Sequence, residues 1–329
     1  MERIAFVSGG TYIYWSSIIL TLAALTAIAA FAALYLRKSG NGLAICLMVP
    51  MSLVSSLALA RLVHWYCRSD SYASLSAAMS DHSWGGYALM GVFGACILCA
   101  CLLRLVRVVK NLPEMLDCMA LAGGLGIVVG RLSSFYNSSD RGMLMPEDVG
   151  LPFAYPVTNA VSGVVENRLA TFMLQAIVTA VIVAALAAYL VYAKKKNKQI
   201  KDGDICLLFL AAYGASQIVF DSTRYDSLFM RSNGFISIVQ ILGLVAMVLA
   251  IVLFSVRMVK NNGMKPYFVS IWVVLLAMLG VAGYMEYHVQ RHGDQALFAY
   301  TIMSICILVA VALTVAIRYL AEPKDRKNA

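Results

Sequence analysis

Seven stretches of this chain, roughly 12–36, 43–63, 85–106, 169–193, 232–256, 267–287 and 296–319, run for about 20 residues or more with almost no charge. Runs of that length match the hydrocarbon thickness of a bilayer, where every backbone polar group must be satisfied within its own helix. Two further stretches are less apolar. One, 113–130, carries Glu114 and Asp117 near its start; the other, 205–220, is short and runs into Asp221. Hydrophobic residues make up 61% of the 329 and charged residues only 13%, where a soluble fold would have about a quarter charged. There is too little polar surface to face water. The expected fold is an all-α, polytopic membrane bundle of about nine transmembrane helices, with no separate soluble domain. The opening residues lack the basic region and small-residue cleavage pattern of a signal peptide, so the first span is expected to stay.

The formal net charge of +9 would suggest nucleic acid on a soluble protein; here its division between the two sides matters more, and no nucleic-acid partner is expected. With nine spans, one side takes segments 37–42, 104–111, 194–204, 257–265 and the tail from Arg318, which together hold 17 of the 26 basic residues. The bias predicts an outer N-terminus and an inner C-terminus. All eleven lysines fall on the inner side. The outer basic residues, Arg3, Arg61, Arg68, Arg131, Arg141, Arg168, Arg224, Arg231 and Arg291, are all arginine. A guanidinium matches phosphate or carboxylate as a planar fork and stays charged beside lipid. The set predicts an outward-facing anion site. Of the eight cysteines, seven lie in or at the edges of spans, which argues against a disulfide framework. Cys96 and Cys99 read as small packing residues.

Four polar clusters mark the outer boundary. Ala60-Arg61-Leu62-Val63-His64-Trp65-Tyr66 closes the second span, with Arg61 between apolar neighbours, where an arginine is costly and has a partner or a task. Asp81-His82-Ser83-Trp84 enters the third span, and His82 is a candidate general base. Gly126 and Gly130, spaced for close helix contact, lead to Arg131, with Ser133, Ser134 and Asn137 as neutral donors beside it. Asp221 and Arg224, at i and i+3, follow Tyr213-Gly214 and share a face on a continuing helix.

In this order, the clusters resemble the bacterial prolipoprotein diacylglyceryl transferase family over about residues 5–257. Gly130-Arg131-Leu132-Ser133-Ser134-Phe135-Tyr136-Asn137 keeps the Gly-Arg-aliphatic start, the Phe and the second Asn of the family's signature. Tyr213, Gly214, Asp221, Arg224 and Asp226 match its late motif without a gap, and Ser237 and Gln240 resemble its turn into the next helix. Ala60-Arg61-Leu62 matches the arginine motif closing its second helix, and Tyr14-Trp15-Ser16 echoes an early aromatic motif. Other positions depart. The family's His-Gly-Gly falls by spacing at Met90-Gly91-Val92, without a histidine. Ser134 replaces an asparagine, the Glu-containing continuation has become Ser139-Asp140-Arg141, Ile19 stands near a lost tyrosine, and the His-Pro-Ser-Gln-Leu-Tyr-Glu motif is unrecognisable around Glu166–Leu169.

The resemblance implies a seven-helix domain over 1–257, with 258–329 adding a two-helix segment and a basic tail. It implies a multi-pass protein of the bacterial plasma membrane that moves diacylglyceryl from phosphatidylglycerol, or a similar anionic lipid, to the lipobox cysteine of a prolipoprotein. Arg131 and Arg224 are then expected on the phosphate, with Arg61 in support and Asp221 orienting Arg224. Ser134, Asn137 and Tyr213 complete the lipid site, and the base candidates are His82, His64 and Asp140, in that order. Neither a cofactor nor a metal is expected. The departures leave a second reading, a catalytically degenerate member that binds anionic lipid or a membrane partner. A transporter would need ionisable residues at mid-membrane depth, and the seven clear spans have none. His288 and His292, between the last two spans, belong to none of these motifs.

Overall fold

The computed structural model describes residues 4–80, 86–137, 139–159, 162–198, 200–230 and 233–322. Long helices dominate it: α1 (Trp15–Ser39), α2 (Gly42–Cys67), α4 (Leu89–Leu105), α5 (Leu112–Arg131), α6 (Thr171–Lys195), α7 (Asp204–Ser222), α8 (Ile238–Asn262), α9 (Pro266–Arg291) and α10 (Ala296–Leu320). A short α3 (Leu75–Ser80) follows α2. Among the described residues, eight helices are long and apolar enough to cross a membrane, and α4 is apolar but shorter. The protein is therefore a multi-pass helical membrane bundle. Both less apolar stretches are among the eight, as α5 and α7. Large side chains such as Leu25, Val54, Leu57, Val252 and Leu276 stay exposed, as lipid-facing positions should.

Local chemistry sets the helix ends. Asn41 and Asn111 accept the Ala44 and Glu114 N–H groups at the starts of α2 and α5. Ser237 and Gln240 form a reciprocal capping box that opens α8, which is what the family-like Ser/Gln pair does here. Arg37 and Lys38, Lys194 and Lys195, Lys260 and Arg318 fill the last turns of α1, α6, α8 and α10, where cations complement the helix dipole.

The chain forms two compact units: Met1–Cys206 with Thr223–Gly234, and Leu207–Ser222 with Phe235–Ala329. This division describes compactness and cuts the chain differently from the 1–257/258–329 division that the family resemblance implies. In the first unit α1 lies along α5, and α2 along α4. A Cβ on Gly126 would stand 2.9 Å from the Ala27 Cβ and 3.2 Å from the Ala23 carbonyl oxygen. The glycine thus lets α5 press onto α1, and the helix end bearing Arg131 leaves a tight contact. Ser55 and Ser56 of α2 meet Cys99 and Cys96 of α4 at 3.1 and 3.9 Å, and all eight cysteines are free thiols.

Two polar layers flank α5, whose 20 residues span about 30 Å. At its start, Asn111 and Lys38 bind Asp202 at 2.6 and 2.9 Å, while Asp117 accepts from the Gly203 and Cys206 N–H groups where α7 begins. The Lys38 ammonium holds the Asp202 carboxyl below its ordinary pKa. At the far end of α5 lies the arginine cluster described below. Two antiparallel hairpins accompany that end: β1 (Ile4–Ser8) with β2 (Thr11–Tyr14), and β3 (Ala154–Thr158) with β4 (Val165–Leu169).

In the second unit α9 lies along α10, which also meets α8. Its core gathers Ala211, Met247, Phe254, Phe268, Leu275, Met303 and Ala310.

Candidate functional site

After Arg131, the chain makes a tight turn through Leu132–Phe135 and doubles back to Asp140. The Asp140 carboxylate lies between two guanidiniums from distant parts of the sequence. Arg131 Nη1 stands 2.9 Å from Oδ2, and Arg224 Nη2 stands 2.9 Å from Oδ1. Arg224 also donates its Nε to Asp226 Oδ1 at 2.9 Å, and the other Asp226 oxygen accepts the Asp140 backbone N–H at 3.0 Å. Ser134 Oγ donates to Asp140 Oδ2 at 3.1 Å. The Arg131, Asp140 and Arg224 side chains are only 11–14% exposed, so these charges meet in a largely dry setting. Burial alone would raise the Asp140 pKa; the two guanidiniums outweigh it and hold the carboxyl well below the usual carboxylate range.

Arg141, the next residue, points inward and is fully buried. Its Nη2 donates to the Ser134 and Asn137 carbonyls, the latter at 3.0 Å. Its guanidinium lies over Tyr155 and Phe172, 4.6 and 4.4 Å from their ring centres. Phe135 joins the same nest, 4.7 Å from Phe172 and 5.6 Å from Tyr155. Burial lowers the Arg141 pKa, which Tyr155 and Asp140 oppose. The signature loop is thus clamped onto the hairpin and the start of α6. No sequence pattern shows that this arginine turns inward; a cation beside Asp140 reads equally well as solvent-facing.

Gly142 closes the loop. Its N–H donates to the Leu169 carbonyl at 2.8 Å, and it bridges to Arg224. A Cβ there would meet Thr171 Oγ1 at 2.7 Å, Leu169 Cβ at 2.9 Å and the Thr223 carbonyl oxygen at 3.0 Å. The last is backbone adjoining Arg224 and has little freedom to retreat. Gly142→Ala should therefore displace Arg224 and lower any activity of the cluster by about ten- to a hundredfold, with expression and detergent extraction close to wild type. An unchanged turnover would separate this loop from function.

The remaining sequence-assigned residues divide into groups. Arg61 is buried at the end of α2, where it donates to the Ala78 carbonyl at 2.6 Å and the Gly86 carbonyl at 3.0 Å, with Tyr72 and Tyr87 rings 5.0 and 5.4 Å away. It ties α2 to α3 and to the residues just before α4. His64, one turn on, has Nδ1 3.0 Å from the Tyr72 hydroxyl. Arg68 reaches the Ser227 carbonyl at 3.4 Å, which brings the end of α2 beside the segment that carries Arg224. His82 lies outside the described residues. Asn137 accepts from the N–H and hydroxyl of Ser139 and so shapes the loop.

Tyr213 and Asp221 belong to the second unit. Tyr213 is buried and stacks on Phe209 at 5.3 Å, and Asp221 accepts a hydrogen bond from Ser237. Two carboxylates not assigned this task from sequence, Asp140 and Asp226, orient Arg224. Asp226 had a signal in its place in the late motif; Asp140, read as a base, is placed as a bridge between cations. No group of three or more His, Cys, Asp or Glu side chains is gathered for a metal ion among the described residues.

A model of the prolipoprotein diacylglyceryl transferase family matches residues 3–256. The phosphatidylglycerol–prolipoprotein diacylglyceryl transferase of Finegoldia magna is 26% identical over 269 residues, covering 80% of this chain and 99% of that protein. The protein of the same name from Clostridium botulinum strain Hall is 24% identical over 252 residues, covering 74% of this chain and 94% of its own. Helices α9 and α10 lie beyond the matched residues.

Proposed function

This chain belongs to the prolipoprotein diacylglyceryl transferase family, and we propose that it transfers diacylglyceryl from phosphatidylglycerol to a lipobox cysteine, at the outer face of a bacterial plasma membrane. The observation that carries the reading is the convergence of Arg131 and Arg224, from two separate family motifs, on Asp140. The lysine distribution supports an outer N-terminus and an inner C-terminus in this reading.

In the reaction, the cysteine sulfur attacks the glyceryl carbon bonded to the phosphate oxygen. A carbon–sulfur bond forms, the carbon–oxygen bond breaks, and glycerol phosphate leaves with one more negative charge than the phosphodiester had. Fixed donors aimed at that growing charge lower the barrier. Arg131 and Arg224 supply them, and Asp140 with Asp226 holds both forks in place before lipid arrives.

The thiol must also lose a proton. Asp140 is poorly suited to take it, because its two cationic neighbours favour the charged form. We assign the proton to His64, whose helix end is tethered to the Arg224 segment and whose Nδ1 engages Tyr72. His64→Gln should lower kcat/KM by about 10²–10⁴-fold and remove the acid limb of the pH–rate profile. If His82→Gln does this and His64→Gln does not, the base is His82.

The reading itself is tested with purified protein, phosphatidylglycerol and a lipobox peptide, followed by mass spectrometry. A thioether-linked diacylglyceryl adduct is expected, with glycerol phosphate in equal amount. Bound phosphatidylglycerol without adduct would replace it with a non-catalytic lipid-binding role.

A further inference from the structure

The C-terminal hairpin carries a feature that the transfer chemistry does not use. His288 lies in the last turn of α9, and His292 is the residue that caps it, its N–H donating to the His288 carbonyl at 2.8 Å. A single tight turn, Gly293–Gln295, then leads into α10. The Gln295 N–H donates to the His292 carbonyl at 3.0 Å, so the turn folds back over the helix end. Three side chains converge there. The two imidazole centres are 4.7 Å apart with planes inclined by 36°, and His288 Nε2 is 3.0 Å from Gln295 Oε1. The nearest arginine in sequence, Arg291, places its guanidinium over Tyr287, 5.5 Å from the ring centre.

We propose that His288, His292 and Gln295 bind one divalent transition-metal ion of the Cu(II), Ni(II) or Zn(II) class. His288 Nε2 donates to Gln295 Oε1 at 3.0 Å; two donors in adjacent positions on one metal, with bonds of about 2.1 Å, stand about 3.0 Å apart as well, so an ion that replaces this proton needs little movement of either side chain. Two imidazoles bound side by side to one ion place their ring centres about 4.5–5.2 Å apart, which brackets the separation of the histidine rings. His292 follows the last helical residue of α9 with a non-helical backbone (φ -131°, ψ 68°), and its ring lies beside that of His288. Two nitrogens and one amide oxygen select these borderline ions over magnesium or calcium, which prefer all-oxygen sites. His292 and Gln295 are exposed and His288 half-buried, so the ion can enter from solvent.

The ligands come from both sides of the turn between α9 and α10. A bound ion therefore clips these helices together and stabilises the hairpin by mass action. The matched family residues end at 256, so the clip lies outside the matched part of the chain.

The test uses tag-free full-length protein in nanodiscs, titrated calorimetrically with ZnCl2, NiCl2 and CuCl2, with MgCl2 as control. One equivalent of at least one of the three should bind and raise the melting temperature. His288→Gln and His292→Gln should each weaken binding by at least about tenfold, and the double substitution should abolish both binding and the thermal shift. The Cu(II) complex should show two nitrogen ligands by electron paramagnetic resonance. Absence of binding by the wild-type protein would overturn the proposal. So would stoichiometric binding that survives in the double variant, which would place the ion elsewhere.

Discussion

Arg131→Lys should abolish most turnover although it keeps the charge. In the proposed reaction the phosphate is met by two guanidiniums, each fixed by an ion pair to Asp140. Lysine offers a single ammonium on a flexible stem and cannot do both in a fixed plane. Loss of one donor aimed at developing charge costs about 10²–10³ in kcat, and Arg131→Lys and Arg224→Lys should each show a fall of that order. The effect belongs mainly in kcat, because charge on the phosphate grows only as the carbon–oxygen bond breaks. Radiolabelled phosphatidylglycerol turnover at saturating lipid reads it directly. A lysine variant within threefold of wild type, at about the same lipid KM, would remove these arginines from the leaving-group site.

Asp140→Ala should destabilise the lipid-free protein and be partly repaired by phosphatidylglycerol. Without the carboxylate, two largely buried cations lose the anion they share; removing one member of such a set costs about 3–5 kcal/mol. The lower end applies here, since Asp226 still holds Arg224. A phosphate can take the vacated place, so added phosphatidylglycerol should raise the melting temperature of Asp140→Ala more than that of wild type, with phosphatidylcholine as control. Equal shifts in both proteins would show that Asp140 and the phosphate do not share the arginines.

The same carboxylate makes a pH prediction. Its folded pKa is depressed, so its stabilising effect is complete above the unfolded aspartate value of about 3.9 and disappears as pH falls below it. It therefore adds no slope to stability or rate between about pH 5 and 9, and an acid limb in that range comes from a histidine or from the substrate thiol.

Much of the fold was legible in residue order because its signals are local. The apolar runs and the basic residues that follow them each operate within one turn or one span. Even the less apolar stretches 113–130 and 205–220 formed helices α5 and α7. The family motifs were legible for the same reason, since each is a short segment around Arg61, Arg131 or Arg224.

Asp140 marks where that legibility ends. Its neighbours in sequence read as a polar loop with a spare acid, and a base was a reasonable reading. Its neighbours in space are two guanidiniums, and they convert the acid into a fixed anion. Arg141 shows the same boundary, because facing water or lying between Tyr155 and Phe172 depends on how β3, β4 and α6 close around it.

Sequence alone therefore determined that the chain lives in a membrane and which family it resembles, since hydropathy and short motifs are properties of contiguous residues. Only the tertiary structure decided which side chains meet: Arg131 with Arg224 across Asp140, and His288 with His292 and Gln295 across a turn. Such pairings depend on loop closure and on the direction each side chain takes once its helix is packed, and residue spacing records neither.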